Sequence, residues 1–149
     1  MRVPDPVHDG QFYDGVPARR LVAFCIDVFV VVALWCVVLV VGLLVSVLTL
    51  GVAAPLAILV FGAADFIYRW VMLAERSATV GMMLTGIEVR DAWGDRLNPV
   101  MAFLHVAGFY LSVFVTPLLV IGWFLIAASP YRRMLHDLVL GAVVINRPA

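Results

Sequence analysis

Three long apolar segments dominate the pattern of hydrophobic and polar positions. They cover residues 21–49, 55–73 and 99–129, and they contain few ionisable side chains. A helix needs about 20 apolar residues to cross the hydrocarbon core of a bilayer, so each segment is long enough to span or enter it. The pattern predicts an all-α membrane protein, a small polytopic bundle of three to four transmembrane or re-entrant helices.

The third segment allows two paths. As one straight helix it would extend about 46 Å, well beyond a hydrocarbon core of about 30 Å. Thr116-Pro117 interrupts the segment, and proline kinks or ends a helix. It either crosses the membrane once or folds back at Pro117 as a helical hairpin. The hairpin keeps all the arginines on one side, although each arm would have only about 15 residues. We favour the hairpin.

The polar segments complete the predicted architecture. Residues 1–18 are expected to form a polar N-terminal tail, and residues 19–147 a single membrane domain. The chain is 64% hydrophobic and 13% charged, against about 25% charged residues in soluble domains, which also indicates an integral membrane protein. Ten basic and ten acidic residues balance, so no nucleic-acid partner is expected.

The longest polar stretch between apolar segments is residues 74–98. Its residues 79–85 are typical of a short amphipathic helix at the membrane interface, and residues 87–90 alternate like a strand. Residues 91–95 then predict a turn. A second strand is predicted at residues 143–145, and the two strands can pair only if both lie on the same side of the membrane.

Arginine placement predicts the orientation. Arg19 and Arg20 precede the first apolar segment, the short turn after it has no arginine, and residues 74–98 carry three. Because cytoplasmic loops are enriched in basic residues, we expect the N-terminus and residues 74–98 to be cytoplasmic.

The two cysteines, Cys25 and Cys36, are eleven residues apart on one predicted helix, too far for a disulfide. Neither a metal site nor a cofactor is predicted.

The polar residues within or next to the apolar segments all fall in the predicted cytoplasmic half. A lone charge at the bilayer centre costs about 2.5–3.5 kcal/mol, so pairing is expected. Arg20 lies seven residues before Asp27 on the same helix face, and Asp65 lies four before Arg69. These pairs either set the packing of the helices or line a cavity that admits cations or protons. The candidate cluster comprises Arg20, Asp27, Asp65, Arg69, His105 and Asp137.

Three sequence blocks carry a family resemblance. Residues 20–27 read RLVAFCID, residues 79–81 read TVG and lead through Gly86 to IEV at 87–89, and residues 135–141 read LHDLVLG. In this order and spacing the blocks resemble the RDD family of small bacterial membrane proteins, which is named for one arginine and two aspartates.

The resemblance covers roughly residues 17–147. It implies that Arg20, Asp27 and Asp137 are the signature residues and that the protein lies in the bacterial cytoplasmic membrane. Members of the family often carry a basic residue at the position of Met82 and an arginine at that of His105, so a role resting on those groups would not transfer. The resemblance implies transport of an unidentified ligand.

Two functions from different classes follow. The first is a transport-related protein that moves cations, protons or a small ligand through the buried Arg/Asp cluster. We expect it to act as a homo-oligomer, because three or four helices rarely enclose a pathway by themselves. The second is a non-catalytic accessory or assembly subunit of a larger membrane complex. Enzymatic activity is not expected, because His136-Asp137 has no nucleophile at recognisable spacing. The expected partners are the lipid bilayer and copies of the chain or other membrane subunits.

Overall fold

The computed structural model describes residues 4–147, apart from the side chains of residues 116, 118 and 119. The described chain is mostly helical, with one small two-stranded sheet. Its elements in order are α1 (Val16–Leu48), α2 (Ala54–Arg76), α3 (Val80–Thr85), β1 (Ile87–Arg90), α4 (Pro99–Phe114), α5 (Thr116–Ala128), α6 (Leu135–Leu140) and β2 (Val143–Asn146).

Helices α1 and α2 form a long helical hairpin. Both are long and apolar enough to cross a membrane. Each has a proline in its first turn, where the missing N–H has no helical partner to lose. Most of the apolar side chains towards the tip of the hairpin are exposed, among them Leu43, Leu48 and Leu59. That exposure suits a lipid environment and would be costly in water.

The third apolar segment folds back on itself, as favoured from the sequence. Helix α4 ends at Phe114 and α5 begins at Thr116, so the break falls beside the predicted Pro117. Helix α6 then returns to the middle of α4: a Cβ on Gly108 would lie 2.8 Å from the Cβ of His136. Because α6 reaches α4 only if the chain reverses between them, α4 and α5 run in opposite directions.

The predicted strands pair with each other. β1 and β2 are antiparallel, with Val89 opposite Val144 and Glu88 opposite Ile145. Val89 and Val144 are buried in the main apolar core, which also contains residues of α1, α2 and α4. The sheet therefore covers one end of the helical bundle and brings the segment after α3 together with the C-terminal end of the described chain.

The N-terminal residues are more integrated than the predicted tail of residues 1–18. Helix α1 begins at Val16, and both Val16 and Tyr13 are buried. The Tyr13 ring packs edge-on against Tyr131, and its hydroxyl donates to the carbonyl oxygen of Pro4 at 2.8 Å. The predicted boundary between residues 18 and 19 thus falls inside α1, because aromatic residues in the polar segment pack against the sheet.

Helix α3 lies against α1 at very short range. Thr79 caps α3, with its hydroxyl accepting from the N–H of Met82 at 3.3 Å. A Cβ on Gly81 would overlap the carbonyl oxygen of Ala23 in α1. Only glycine fits at this position, and the close approach puts the start of α3 beside Asp27.

A candidate polar site between the helices

Asp27 connects three helices. Its Oδ1 accepts from the Tyr68 hydroxyl of α2 at 3.0 Å and from the N–H of Gly81 at 2.9 Å. Its Oδ2 accepts from the Thr79 hydroxyl at 2.5 Å and lies 3.9 Å from Nη1 of Arg69. The carboxylate is 2% exposed, so these donors replace the water it loses on burial.

Arg69 extends this network towards α4. Its Nε donates to Oδ1 of Asp65 at 2.9 Å, which is the predicted pair one helical turn apart. The other oxygen of Asp65 accepts from the Tyr110 hydroxyl of α4. The Arg69 guanidinium also lies over the Phe109 ring, 5.1 Å from its centroid. Arg69 therefore lies between two carboxylates and an aromatic face.

Asp137 is the centre of a second group. Its Oδ2 accepts from Nη1 of Arg20 at 2.7 Å and from the N–H of Met134 at 3.0 Å. Its Oδ1 has no hydrogen-bond partner among the described residues. Nδ1 of His105 and Nε2 of His136 each lie 3.5 Å from this oxygen. The group thus combines one arginine, one carboxylate and two imidazoles.

The predicted ion pair between Arg20 and Asp27 was wrong. The two residues share a face of α1, but seven residues of helix separate them by about 10 Å along the axis. Each finds a nearer partner on another element: Arg20 on α6, and Asp27 on α2 and α3. Both connections link elements that are distant in sequence, so they fix how the bundle packs.

Burial and charge act in opposite directions on Asp137. Burial raises the pKa of its carboxyl, but the Arg20 guanidinium, helped by the neighbouring histidines and the Met134 N–H, holds the pKa below its usual range. For His136, burial lowers the pKa of the imidazole and outweighs the attraction of Asp137. Near neutral pH the carboxylate is therefore ionised and the His136 ring is neutral.

Both groups border one cavity of about 470 Å³. We use "polar cluster" for Arg20, Asp27, Asp65, Arg69, His105, His136 and Asp137. Five of these seven residues line the cavity, and the rest of its wall is mostly apolar. The polar lining residues are Arg20, Asp27, Arg69, His105 and His136; among the apolar ones are Phe24, Phe109, Val113 and Trp123.

The structure brings all six predicted site residues into this region, and it adds hydroxyl partners that were not among them, of which only Thr79 belonged to a quoted sequence block. Tyr68, Thr79 and Tyr110 contribute hydroxyl groups to the carboxylates. The sequence shows His136 next to Asp137, but it does not predict the contact of His136 with His105, which depends on the fold-back of α5. The hydroxyl groups had one signal: Tyr68 lies three residues after Asp65 in an apolar segment.

The fold and the site define a class before any comparison: a small, mostly helical protein with a membrane-capable hairpin and a charged cluster buried between its helices. The chain belongs to the RDD family, whose model matches residues 15–141. It is accordingly an RDD family membrane protein. No curated protein and no solved structure matches the chain.

Proposed function

We propose that this protein moves a cation, a proton or a small polar ligand across the bacterial cytoplasmic membrane, and that it does so as an oligomer. The observation that carries the proposal is a cavity that five charged or titratable side chains line between mostly apolar helices. Ionisable groups within a membrane are costly, and they commonly mark ion or substrate pathways.

The charge of the polar cluster favours a cationic ligand. Asp27, Asp65 and Asp137 supply three negative charges, and Arg20 and Arg69 supply two positive ones. With neutral histidines the cluster therefore carries one net negative charge. A monovalent cation or a proton would neutralise it, which lowers the free energy of bringing that ligand out of water.

We place the N-terminus, the polar cluster and both strands on the cytoplasmic side. Arg19, Arg20, Arg90 and Arg147 all lie at the end of the bundle that carries the sheet, whereas the turn between α1 and α2 carries no basic residue. The positive-inside rule then supports a chain with both described ends in the cytoplasm. Oligomerisation is part of the proposal because so few helices do not by themselves surround a continuous path.

A non-catalytic accessory or assembly role is the second candidate. One observation favours it: Asp27 has partners inside the chain for both of its oxygens, which is the arrangement of a structural anchor. Under this reading the cluster only fixes helix packing, and the exposed apolar faces of α1 and α5 contact other subunits. Neither candidate involves catalysis.

Flux through reconstituted vesicles tests the first candidate. Purified protein is inserted into vesicles that contain a fluorescent indicator for the ion under test, and gradients of Na⁺, K⁺, Zn²⁺ or protons are applied. We expect faster flux of one of these ions than in protein-free vesicles. We also expect a loss of about tenfold or more in Asp137→Asn, which removes the charge that faces the histidines. Asp95→Asn, in an exposed turn, is the matched control and should keep the flux.

The same preparation separates the two candidates. Folded wild-type protein with no flux of any of these ions above that of empty vesicles would contradict the proposed transport of cations or protons, even if Asp137→Asn does not fold. The mass of the detergent-solubilised protein gives a second outcome. A defined homo-oligomer supports transport, whereas stoichiometric co-purification of other membrane subunits supports the accessory role.

A further inference from the structure

We propose that His105, His136 and Asp137 bind a divalent transition-metal ion, with zinc as the best-fitting case. This inference rests on the proposed function in that it names a ligand for the same cavity. It concerns binding rather than movement across the membrane, so it can be tested separately from transport.

The donor atoms are already close together. One nitrogen from each imidazole and one carboxylate oxygen lie within 4.8 Å of one another. Oδ1 of Asp137 is 3.5 Å from Nδ1 of His105 and 3.5 Å from Nε2 of His136. Two ligand atoms about 2.05 Å from a tetrahedral ion stand about 3.3 Å apart. The two distances from Oδ1 are close to this value. The two imidazole nitrogens lie within 4.8 Å of each other, and a shift of the side chains would bring them to the tetrahedral spacing.

Two of the three donor atoms also lack a hydrogen-bond partner among the described residues. All three residues are buried, and Asp137 is fully so. Oδ1 of Asp137 and Nδ1 of His105 have no hydrogen-bond partner among residues 4–147. Most buried polar atoms in proteins are hydrogen-bonded, so two unsatisfied atoms that face each other across 3.5 Å indicate a ligand. A metal ion between them would satisfy both.

The surroundings hold the donors in place. Arg20 and the Met134 N–H both bind Oδ2 of Asp137, which leaves Oδ1 directed at the histidines. The close approach of α6 to Gly108 fixes the backbone of His136. Such outer contacts orient metal ligands and are a regular part of metal sites. Two imidazoles and one carboxylate suit Zn²⁺ better than Mg²⁺ or Ca²⁺, which prefer oxygen donors.

Three protein ligands leave a fourth position for water or another small ligand. His105 and His136 both line the cavity, so an ion bound to them would be reachable from it. The Asp137 carboxylate supplies one negative charge to the ion, and the Arg20 guanidinium on its other oxygen limits the affinity. We therefore expect an exchangeable ion rather than a permanently bound one.

Zinc binding to the purified protein is the direct test. The full chain is purified in detergent with a tag that lacks histidine, stripped with a chelator, and dialysed against Zn²⁺. We expect about one zinc ion per chain in the wild type. We expect at least about 100-fold weaker binding in His105→Gln and in His136→Gln, because each loses a ligand atom. His8→Gln, which changes an exposed histidine outside the cluster, should bind like the wild type.

Three results would overturn the site: no zinc on the wild type, zinc binding as tight as that of the wild type in either glutamine variant, or loss of zinc in His8→Gln. If neither glutamine variant folds, Co²⁺ bound to the wild type decides. Intense visible absorption of a tetrahedral complex supports the site, and the weak absorption of an octahedral one contradicts it. Zinc binding without flux of any ion in vesicles would reject the transport of cations or protons and keep the site. Ion flux without zinc binding would do the reverse.

Discussion

At the scale of single residues, three carboxylates of the polar cluster are held by hydrogen-bond donors, and each has at least one donor from another part of the chain. Asp27 draws on α2 and α3, Asp65 on α2 and α4, and Asp137 on α1 and the residue before α6. An isolated charge in the same place would be strongly destabilising. The polar side chains were identifiable from the sequence because they interrupt apolar segments. Their partners were not, since helical spacing reports only neighbours on the same helix.

Asp27 provides the sharpest test at this scale. Asp27→Asn keeps the shape of the side chain but replaces one acceptor oxygen with a donor and removes the charge near Arg69. We expect a loss of about 3 kcal/mol in the free energy of unfolding, the usual order for breaking a buried charged network. Thermal unfolding in detergent would measure it as a lower Tm, with Asp95→Asn as the control. Equal Tm values for the two variants would show that Asp27 is not a structural anchor.

At the scale of helices and strands, local sequence signals predicted where elements form, but they did not predict which elements contact each other. The short helix α3, the strand β1 and the break beside Pro117 were all predicted, because apolar patterning, alternation and proline act locally. The role of α3 was not. It was expected only to lie at the membrane interface, and its packing against α1, with the Thr79 and Gly81 donors to Asp27, was not predicted. No periodicity in α3 itself reveals that contact.

Gly81→Ala tests the contact between α3 and α1. The added methyl group would overlap the backbone carbonyl of Ala23, so α3 must move away and lengthen the hydrogen bonds to Asp27. We expect a destabilisation of about 2 kcal/mol or more, measured by thermal unfolding. The matched control is Gly62→Ala in α2, where nothing lies within 4 Å of the new methyl group. A Gly81→Ala protein as stable as Gly62→Ala would contradict the close packing described here.

At the scale of the whole molecule, the fold-back of α5 assembles the site. It places α6 against α4, pairs β2 with β1, and brings His136 and Asp137 to His105 and Arg20. The sequence left open whether residues 99–129 cross the membrane once or fold back. The main argument for the hairpin was that it keeps all the arginines on one side. The proposed metal site was not predicted, because it depends on this fold-back. They come from two helices whose histidines are far apart in sequence, so no short spacing motif exists.

The central claim is that the polar cluster and both described chain ends share the cytoplasmic side, with the turn between α1 and α2 on the other. Cysteine labelling in intact bacterial cells tests it, with Cys25 and Cys36 first replaced by alanine. We predict that Val52→Cys, in the exposed turn, reacts with a membrane-impermeant maleimide in intact cells. A cysteine added after Ala149 should react only once the membrane is permeabilised. Labelling of that C-terminal cysteine in intact cells would contradict the account.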